Sequence, residues 1–205
     1  MNLTVVFGLT TFLSAFLMFW LELFFAKLLL PQFGGGAAIW TTCLACFQLL
    51  LLLGYLYAHW LGKASHRVQK LVHISAIALA LLFLPIELHR VENLPNSPVL
   101  QILTTGLVSI GLPMMILSTT SSLLQSWFSQ TDKNPYFLYS LSNGGSLLAL
   151  MVYPTIIEPR ISLSSQSKLW AVCFVLALIG VIWCLFQAKE RVRLPTQRSI
   201  IAPQQ

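Results

Sequence analysis

Charged side chains are scarce in this chain: only 9% of its 205 residues are Asp, Glu, Lys or Arg, and only six are acidic. Soluble domains carry about 25% charged residues. Because so few polar groups cannot cover a water-exposed surface, this scarcity excludes an ordinary water-soluble enzyme. With 57% hydrophobic residues and a mean hydropathy of +0.78, the chain is also too apolar to be disordered, and we interpret it as an integral membrane protein.

Patterns that carry catalysis, metal binding or nucleic-acid binding are also missing. There is no nucleophile elbow, no HExxH motif and no triad-like spacing of His, Cys and acid. The glycines 34–36 follow no strand and so do not form a phosphate loop. The net charge of +6 comes from basic residues scattered over loops and tails, not from a basic helix, so we expect no nucleic-acid partner. We likewise predict no cofactor, no metal and buried reduced cysteines, because the lone CxxC of Cys43 and Cys46 is a weak signal.

Six apolar stretches are long enough to cross a membrane as helices. They cover residues 3–30, 37–61, 68–88, 98–128, 137–157 and 169–188. None alternates in the manner of a membrane β-strand. We expect Pro31 to end the first helix and the Gly111–Pro113 segment to kink or divide the fourth. The predicted fold is therefore an all-α integral membrane domain of six transmembrane helices (residues 1–188), followed by a basic cytoplasmic tail (189–205).

Basic residues are distributed unequally between the two sets of helix ends. Eight lie at one set, namely Lys63, Arg67, Lys70, Lys133, Lys189, Arg191, Arg193 and Arg198. Four lie at the other, namely Lys27, Arg90, Arg160 and Lys168. Because positive charge is retained on the cytoplasmic side, this difference predicts that both termini are cytoplasmic.

One acidic residue lies well inside a predicted span, Glu22 of the first helix. A charge at that depth costs roughly 2.5–3.5 kcal/mol on insertion scales, so such residues mark function or a structural ion pair. Glu22 is either a binding carboxylate or proton carrier, or the partner of Lys27 or Arg160. The five-residue offset to Lys27 is one more than the best pairing distance within a helix.

The fourth and fifth helices carry a second polar group. Ser118, Ser122 and Gln125 share one helix face at i, i+4 and i+7, and we expect this face to meet the fifth helix. The fifth helix offers Tyr139, Ser142, Asn143 and Ser146. These residues either pack the two helices together or line a polar cavity that opens to the cytoplasm. Gln48 and Glu158 complete the set of polar-cavity candidates.

His59 and His73 lie on either side of the turn between the second and third helices. A helical hairpin there brings both toward one end of the bundle, where they are weak candidates for ligating a haem or a metal. Interfacial histidines are common, and no further ligand pattern supports this interpretation.

Two blocks of the sequence resemble a known family. The first runs from Glu22 to Gly35 and continues through Trp40–Thr42, Phe47–Gln48 and Gly54–His59. The second runs from Thr119 to Phe128 and continues through Pro135–Tyr139, Ser142–Asn143, Gly145–Ser146 and Tyr153–Pro159. Both are similar to the membrane domain that precedes a spermidine synthase-like domain in many bacterial proteins. The resemblance covers about residues 10–170 and implies a helical bundle similar to half of a major facilitator, in the bacterial inner membrane.

The fused members of that family continue into a methyltransferase-like Rossmann domain, whereas this sequence stops at Gln205. No donor-binding glycine loop and no catalytic aspartate can be transferred to it, so the resemblance gives no basis for aminopropyl transfer and we expect no enzyme. The leading hypothesis is a non-catalytic membrane subunit that anchors or assembles with a separately encoded partner, either a synthase-like protein or a larger membrane complex. The alternative is a small transporter or channel half, paired as a homo-oligomer, for a cationic or polar metabolite such as a polyamine. Both hypotheses place the chain in a lipid bilayer.

Overall fold

The structure is a computed structural model that describes residues 2–89, 97–129 and 134–187, and all regular secondary structure within these residues is helical. The six main helices are α1 (Leu3–Phe33), α2 (Ala37–Lys63), α3 (His66–Ala80), α4 (Pro98–Phe128), α5 (Tyr136–Val152) and α6 (Leu163–Gln187). A 3₁₀ turn (Leu81–Phe83) extends α3, while a π-helical turn (Tyr153–Ile157) and a final α-turn (Glu158–Arg160) extend α5. Six helices, counted with these extensions, are long and apolar enough to cross a membrane. The prediction of a multi-pass helical membrane protein is confirmed at this level.

The predicted basic tail, residues 189–205, lies outside the described residues, and so does residue 188 at the end of the sixth predicted span. The same holds for Arg90 and Lys133 in the two loops.

Helix α1 is the centre of the bundle and packs against α2, α4, α5 and α6, whereas α2 packs mainly on α4. Phe7 near the start of α1 contacts Phe128 at the end of α4, and the indole N–H of Trp170 in α6 donates to the carbonyl of Leu17 at 3.0 Å. Cys184, later in α6, lies beside Thr10, earlier in α1, so α6 as well as α4 runs antiparallel to α1. We call the end of the bundle that carries Gly34–Gly36 and Glu158 the glycine end, and the end that carries the α2–α3 turn the hairpin end.

The first helix continues past Pro31 and ends at Phe33, three residues beyond the predicted end. Proline lacks an amide donor and its ring crowds the carbonyl four residues earlier, but neither effect prevents the residues after it from keeping a helical conformation. The helix ends instead at Gly34, whose φ of 76° is a left-handed conformation that favours glycine. The N–H of Gly34 donates to the carbonyl of Leu30 at 2.9 Å and so caps the helix.

Two other prolines act differently from one another. The third helix ends earlier than predicted, because Leu84 precedes Pro85 and adopts the extended conformation that a following proline favours. By contrast, α4 runs unbroken through Pro113, so the predicted division of the fourth helix does not occur. A membrane helix tolerates such a proline where packed neighbours surround it, and Pro113 is buried.

Helices α1 and α5 approach each other closely at Gly145. A Cβ atom added there would lie 2.5 Å from the backbone carbonyl oxygen of Phe12, whereas a Cβ on the neighbouring Gly144 would meet nothing within 4 Å. Gly145 therefore allows the two backbones to pack at short range, as small residues commonly do between membrane helices.

We expect Gly145→Ala to lower the free energy of unfolding by roughly 1–3 kcal/mol, because the added methyl group overpacks the α1–α5 contact. Gly144→Ala is the matched control and should not lower stability, since its added methyl group meets nothing and alanine favours the helix by about 0.5–1 kcal/mol over glycine. Thermal unfolding of both variants in the same detergent checks the prediction, and equal midpoints would contradict it.

Candidate functional sites

An ion pair joins α1 to the extension of α5 at the glycine end. The ammonium of Lys27 donates to Glu158 Oε1, and the two side chains are 38% and 33% exposed. Neither of the two predicted partners forms an ion pair with Glu22. Lys27 pairs with Glu158, and the guanidinium of Arg160 donates to the carbonyl of Thr155 at 2.9 Å.

The π-helical turn positions Glu158 for this contact. In it the N–H of Glu158 bonds to the carbonyl of Tyr153, five residues earlier, so these two residues lie one above the other on the helix. Pro154 and Pro159 both lack an amide donor, which explains why regular α-helical bonding fails here. Turns of this kind occur frequently at functional sites.

A cavity of about 200 Å³ adjoins the ion pair. Leu23, Lys27 and Leu30 line it from one face of α1, at i, i+4 and i+7, and Trp40, Leu150, Tyr153, Pro154 and Glu158 line the rest. Tyr153 is only 3% exposed, and its buried hydroxyl has no hydrogen-bond partner in the part of the chain that the structure describes. Because buried hydroxyl groups are normally hydrogen-bonded, this group requires an explanation.

Glu22 directly precedes the cavity-lining Leu23 on α1 but is not itself among the lining residues. The side chain is half-buried and forms neither an ion pair nor a hydrogen bond with any described residue. Burying a carboxylate in a membrane span is costly, and no described residue offers Glu22 a partner that would offset that cost. Glu22 therefore stays a candidate functional residue.

A second polar cluster lies at the hairpin end, between α2, α3 and α4. The indole N–H of Trp127 donates to Gln69 Oε1 at 2.9 Å, and the amide of Gln69 donates to the carbonyl of Ala64 at 3.0 Å. His73 is fully buried beside them, with Nδ1 at 3.2 Å from the Tyr57 hydroxyl and its ring edge-on to Trp127. These bonds fix the α2–α3 turn against the end of α4.

We expect Gln69→Leu to destabilise the protein by about 1–3 kcal/mol, because it leaves the buried indole N–H of Trp127 without an acceptor. Trp127→Phe removes the donor instead, and the double variant should lose less stability than the sum of the two single changes. A double-mutant cycle by thermal unfolding measures this coupling. Strict additivity would contradict the assignment.

The predicted contact between the Ser118 face and the fifth helix requires a correction. Ser118 is buried against Gly54 of α2. A Cβ atom added to Gly54 would overlap the Ser118 hydroxyl, so the missing side chain of this glycine makes room for the serine. Thr119 lies at the same contact and donates to the carbonyl of Gly54 at 3.0 Å. Because helices cross at an angle, the neighbour of a given face changes with depth.

Contact between α4 and α5 is made through Ser121, which Gln125 of the predicted face supports. The hydroxyl of Ser121 lies 3.4 Å from that of Ser142, and the Gln125 amide donates to Ser121 at 3.3 Å. The Ser146 hydroxyl donates to the carbonyl of Ser142 within α5. These contacts support interhelical packing, the first of the two interpretations of this polar group.

Several polar candidates lie on the surface of the bundle instead. Gln48 and Ser122 are exposed, on α2 and α4 respectively. Five exposed residues form one stripe of α5 at i, i+3, i+4, i+7 and i+8, which we call the polar α5 face: Tyr136, Tyr139, Ser140, Asn143 and Gly144. Tyr136 and Tyr139 are 77% and 60% exposed.

The structure does not assemble a metal site from the described residues, where no group of three or more His, Cys, Asp or Glu side chains is placed to hold an ion. His59 is exposed on α2, whereas His73 is buried among Tyr57, Gln69 and Trp127. Cys43 and Cys46 are buried free thiols on α2.

Sequence reasoning missed Tyr153, Gln69 and Trp127 as polar centres. Tyr153 had one signal in the sequence: two prolines, Pro154 and Pro159, stand five residues apart in an apolar span and predict irregular helix geometry. Gln69 and Trp127 are 58 positions apart, so no local pattern links them.

Comparisons with protein families, with curated proteins and with solved structures found no match to this chain. Its function is therefore argued from these sites.

Proposed function

We propose that this chain is a non-catalytic integral membrane subunit that assembles, through the polar α5 face, with a separately encoded membrane protein. The observation that carries the proposal is the exposure of Tyr139, Ser140 and Asn143 on a helix that spans the membrane.

Polar groups that face hydrocarbon lack hydrogen-bond partners, and in membrane proteins they normally lie against another helix or a water-filled cavity. Gly144, in the same stripe, has no atom within 4 Å of the position of its missing Cβ. Small residues of this kind allow another helix to approach closely, and hydroxyl and amide groups beside them form bonds between helices. Gly145, on the other side of α5, already serves in that way against α1. The polar α5 face therefore has the composition of a helix contact for which the chain itself supplies no neighbour in its described part.

The proposal also includes the location of the chain and its resemblance to a known family. The unequal distribution of basic residues favours cytoplasmic termini, and the family resemblance favours a bacterial inner membrane. The resemblance of the Glu22–Gly35 and Thr119–Phe128 blocks to the membrane half of spermidine synthase-like proteins favours a bundle like half of a major facilitator. It also makes a synthase-like protein, docked at the cytoplasmic side, an alternative partner.

The test is purification of the tagged protein from its native membrane in mild detergent, with mass spectrometry and an absorbance spectrum on the same sample. We expect a membrane protein in fixed molar ratio to this chain. A soluble synthase-like partner would overturn the assignment to the polar α5 face. A preparation that contains this chain alone would overturn the subunit proposal altogether.

A second candidate function, transport of a cationic or polar metabolite such as a polyamine, is favoured by Glu22, which has no partner among the described residues. An acidic group within a span is a common element of cation and proton pathways. Under this hypothesis Glu22→Gln abolishes uptake or export at unchanged expression, whereas Glu87→Gln, an exposed acid outside the helices, has no effect. Equal transport by both variants would exclude this function.

A further inference from the structure

The cavity beside the Lys27–Glu158 pair combines three features that together favour a bound ligand. It places two opposite charges next to each other, it buries a tyrosine hydroxyl without a partner, and it lies at an irregular π-helical turn. Two larger clefts at the same end, of about 400 and 470 Å³, adjoin Lys168 but contain neither an ion pair nor a buried unpartnered polar atom among the described residues.

We propose that this cavity binds a zwitterionic phosphoethanolamine group, whose phosphate meets Lys27 and whose ammonium meets Glu158. A ligand with a single charge would draw one member of the pair away and leave the other without its counterion, which is costly in a partly buried site. A ligand that carries both charges gives Lys27 and Glu158 an additional partner each. Tyr153 lines the same cavity, and a phosphate bound there offers its buried, unpartnered hydroxyl an acceptor.

The size and walls of the cavity agree with a headgroup of this kind. Its volume of about 200 Å³ is below the roughly 300–1,000 Å³ of sites for drug-sized ligands. Its walls are largely apolar, from Leu23, Leu30, Leu150 and Pro154. Trp40, which is exposed at the rim, is the residue type that concentrates at the level of lipid headgroups. A phospholipid therefore reaches the cavity from the surrounding bilayer, and a soluble phosphoethanolamine reaches it from water.

The experiment measures lipid retention by native mass spectrometry. Protein purified in detergent is incubated with equal amounts of phosphatidylethanolamine, phosphatidylcholine and phosphatidylglycerol that carry identical acyl chains. Phosphatidylcholine has the same phosphate but no N–H donors for Glu158, and phosphatidylglycerol has no cation. We expect phosphatidylethanolamine to be retained about tenfold over the other two.

Three variants assign that preference to the cavity. Lys27→Gln combined with Glu158→Gln removes both charges at unchanged net charge and should abolish the preference. Tyr153→Phe removes only the hydroxyl and should weaken it severalfold, which keeps the test valid if the double variant does not fold. Tyr55→Phe, at an exposed position of α2 outside both the cavity and the polar α5 face, is the matched control and should retain the preference in full.

Each outcome decides the proposal. Equal retention of the three lipids by the native protein would overturn it, and so would a preference that all variants share or a preference for phosphatidylglycerol. Displacement of the retained lipid by soluble phosphoethanolamine at matched concentration would support the site and identify the soluble compound as its ligand. Retention that resists this competitor would identify the lipid.

Discussion

The substitution Lys27→Glu should destabilise the bundle strongly, by about 3 kcal/mol. It places two carboxylates in contact across α1 and the extension of α5 and leaves each without a counterion. Breaking a buried pair costs roughly 3–5 kcal/mol, and the lower limit applies because both side chains are about one third exposed. The thermal unfolding midpoint in detergent, followed by size-exclusion chromatography of heated samples, measures the effect.

The exchanged pair, Lys27→Glu combined with Glu158→Lys, is the decisive companion variant. It restores opposite charges at the same two positions and should recover most of the lost stability. Lys168→Glu reverses a charge at an exposed site of the same end that makes no ion pair with a described residue, so it should have little effect. If the exchanged pair is as unstable as Lys27→Glu alone, the two side chains do not act as a pair.

Assembly should be lost in Gly144→Leu without loss of stability of the chain itself. Leucine on the polar α5 face would hold a neighbouring helix away, and close approach is what small residues provide in membranes. We expect at least a tenfold reduction of the co-purified partner, equivalent to about 1.4 kcal/mol of binding free energy. Because the missing Cβ of Gly144 faces open space, the unfolding free energy should not fall, and the better helix propensity of leucine should raise it by about 0.5–1 kcal/mol.

Gly62→Leu is the control for added bulk. Gly62 is also exposed and has no atom within 4 Å of its missing Cβ, but it lies at the end of α2, away from the polar α5 face. This variant should retain the partner. If both leucine variants retain it, the contact lies elsewhere on the bundle, and if both lose it, the effect is not specific to α5.

The helices themselves could be predicted from the sequence, because a span needs only a long apolar run and such runs are visible directly. Their ends could be predicted less well. Proline at position 31 predicted a stop, yet the conformation of Gly34 sets the end of α1. At Leu84, by contrast, the proline that follows does end the regular structure, as local sterics require.

At the sites, the sequence could predict which residues carry charge or polarity, but not which of them contact each other. Glu22, Lys27 and Glu158 were all identifiable as charges in or near spans, but which of them pair depends on how each helix is rotated. In a membrane protein that rotation is poorly encoded, because surfaces that face lipid and surfaces that face other helices are both apolar. The partner of Lys27 is 131 residues away, and no local pattern specifies it.

The same limit explains the error at Ser118. Helical periodicity correctly places Ser118, Ser122 and Gln125 on one side of α4, but it cannot show that α2 covers Ser118 while Ser122 remains exposed. The sequence feature that corresponds to this contact is Gly54, because its missing side chain makes room for Ser118.

The central claim is that another protein covers the polar α5 face in the membrane, and photo-crosslinking in living cells tests it most directly. A photoreactive residue placed at Asn143 should yield a discrete crosslinked protein band. The same residue placed at Leu176, an exposed apolar position on α6, should react with lipid and yield no such band. Lipid adducts alone at both positions would contradict the account, because they would show that the polar α5 face lies open to the bilayer.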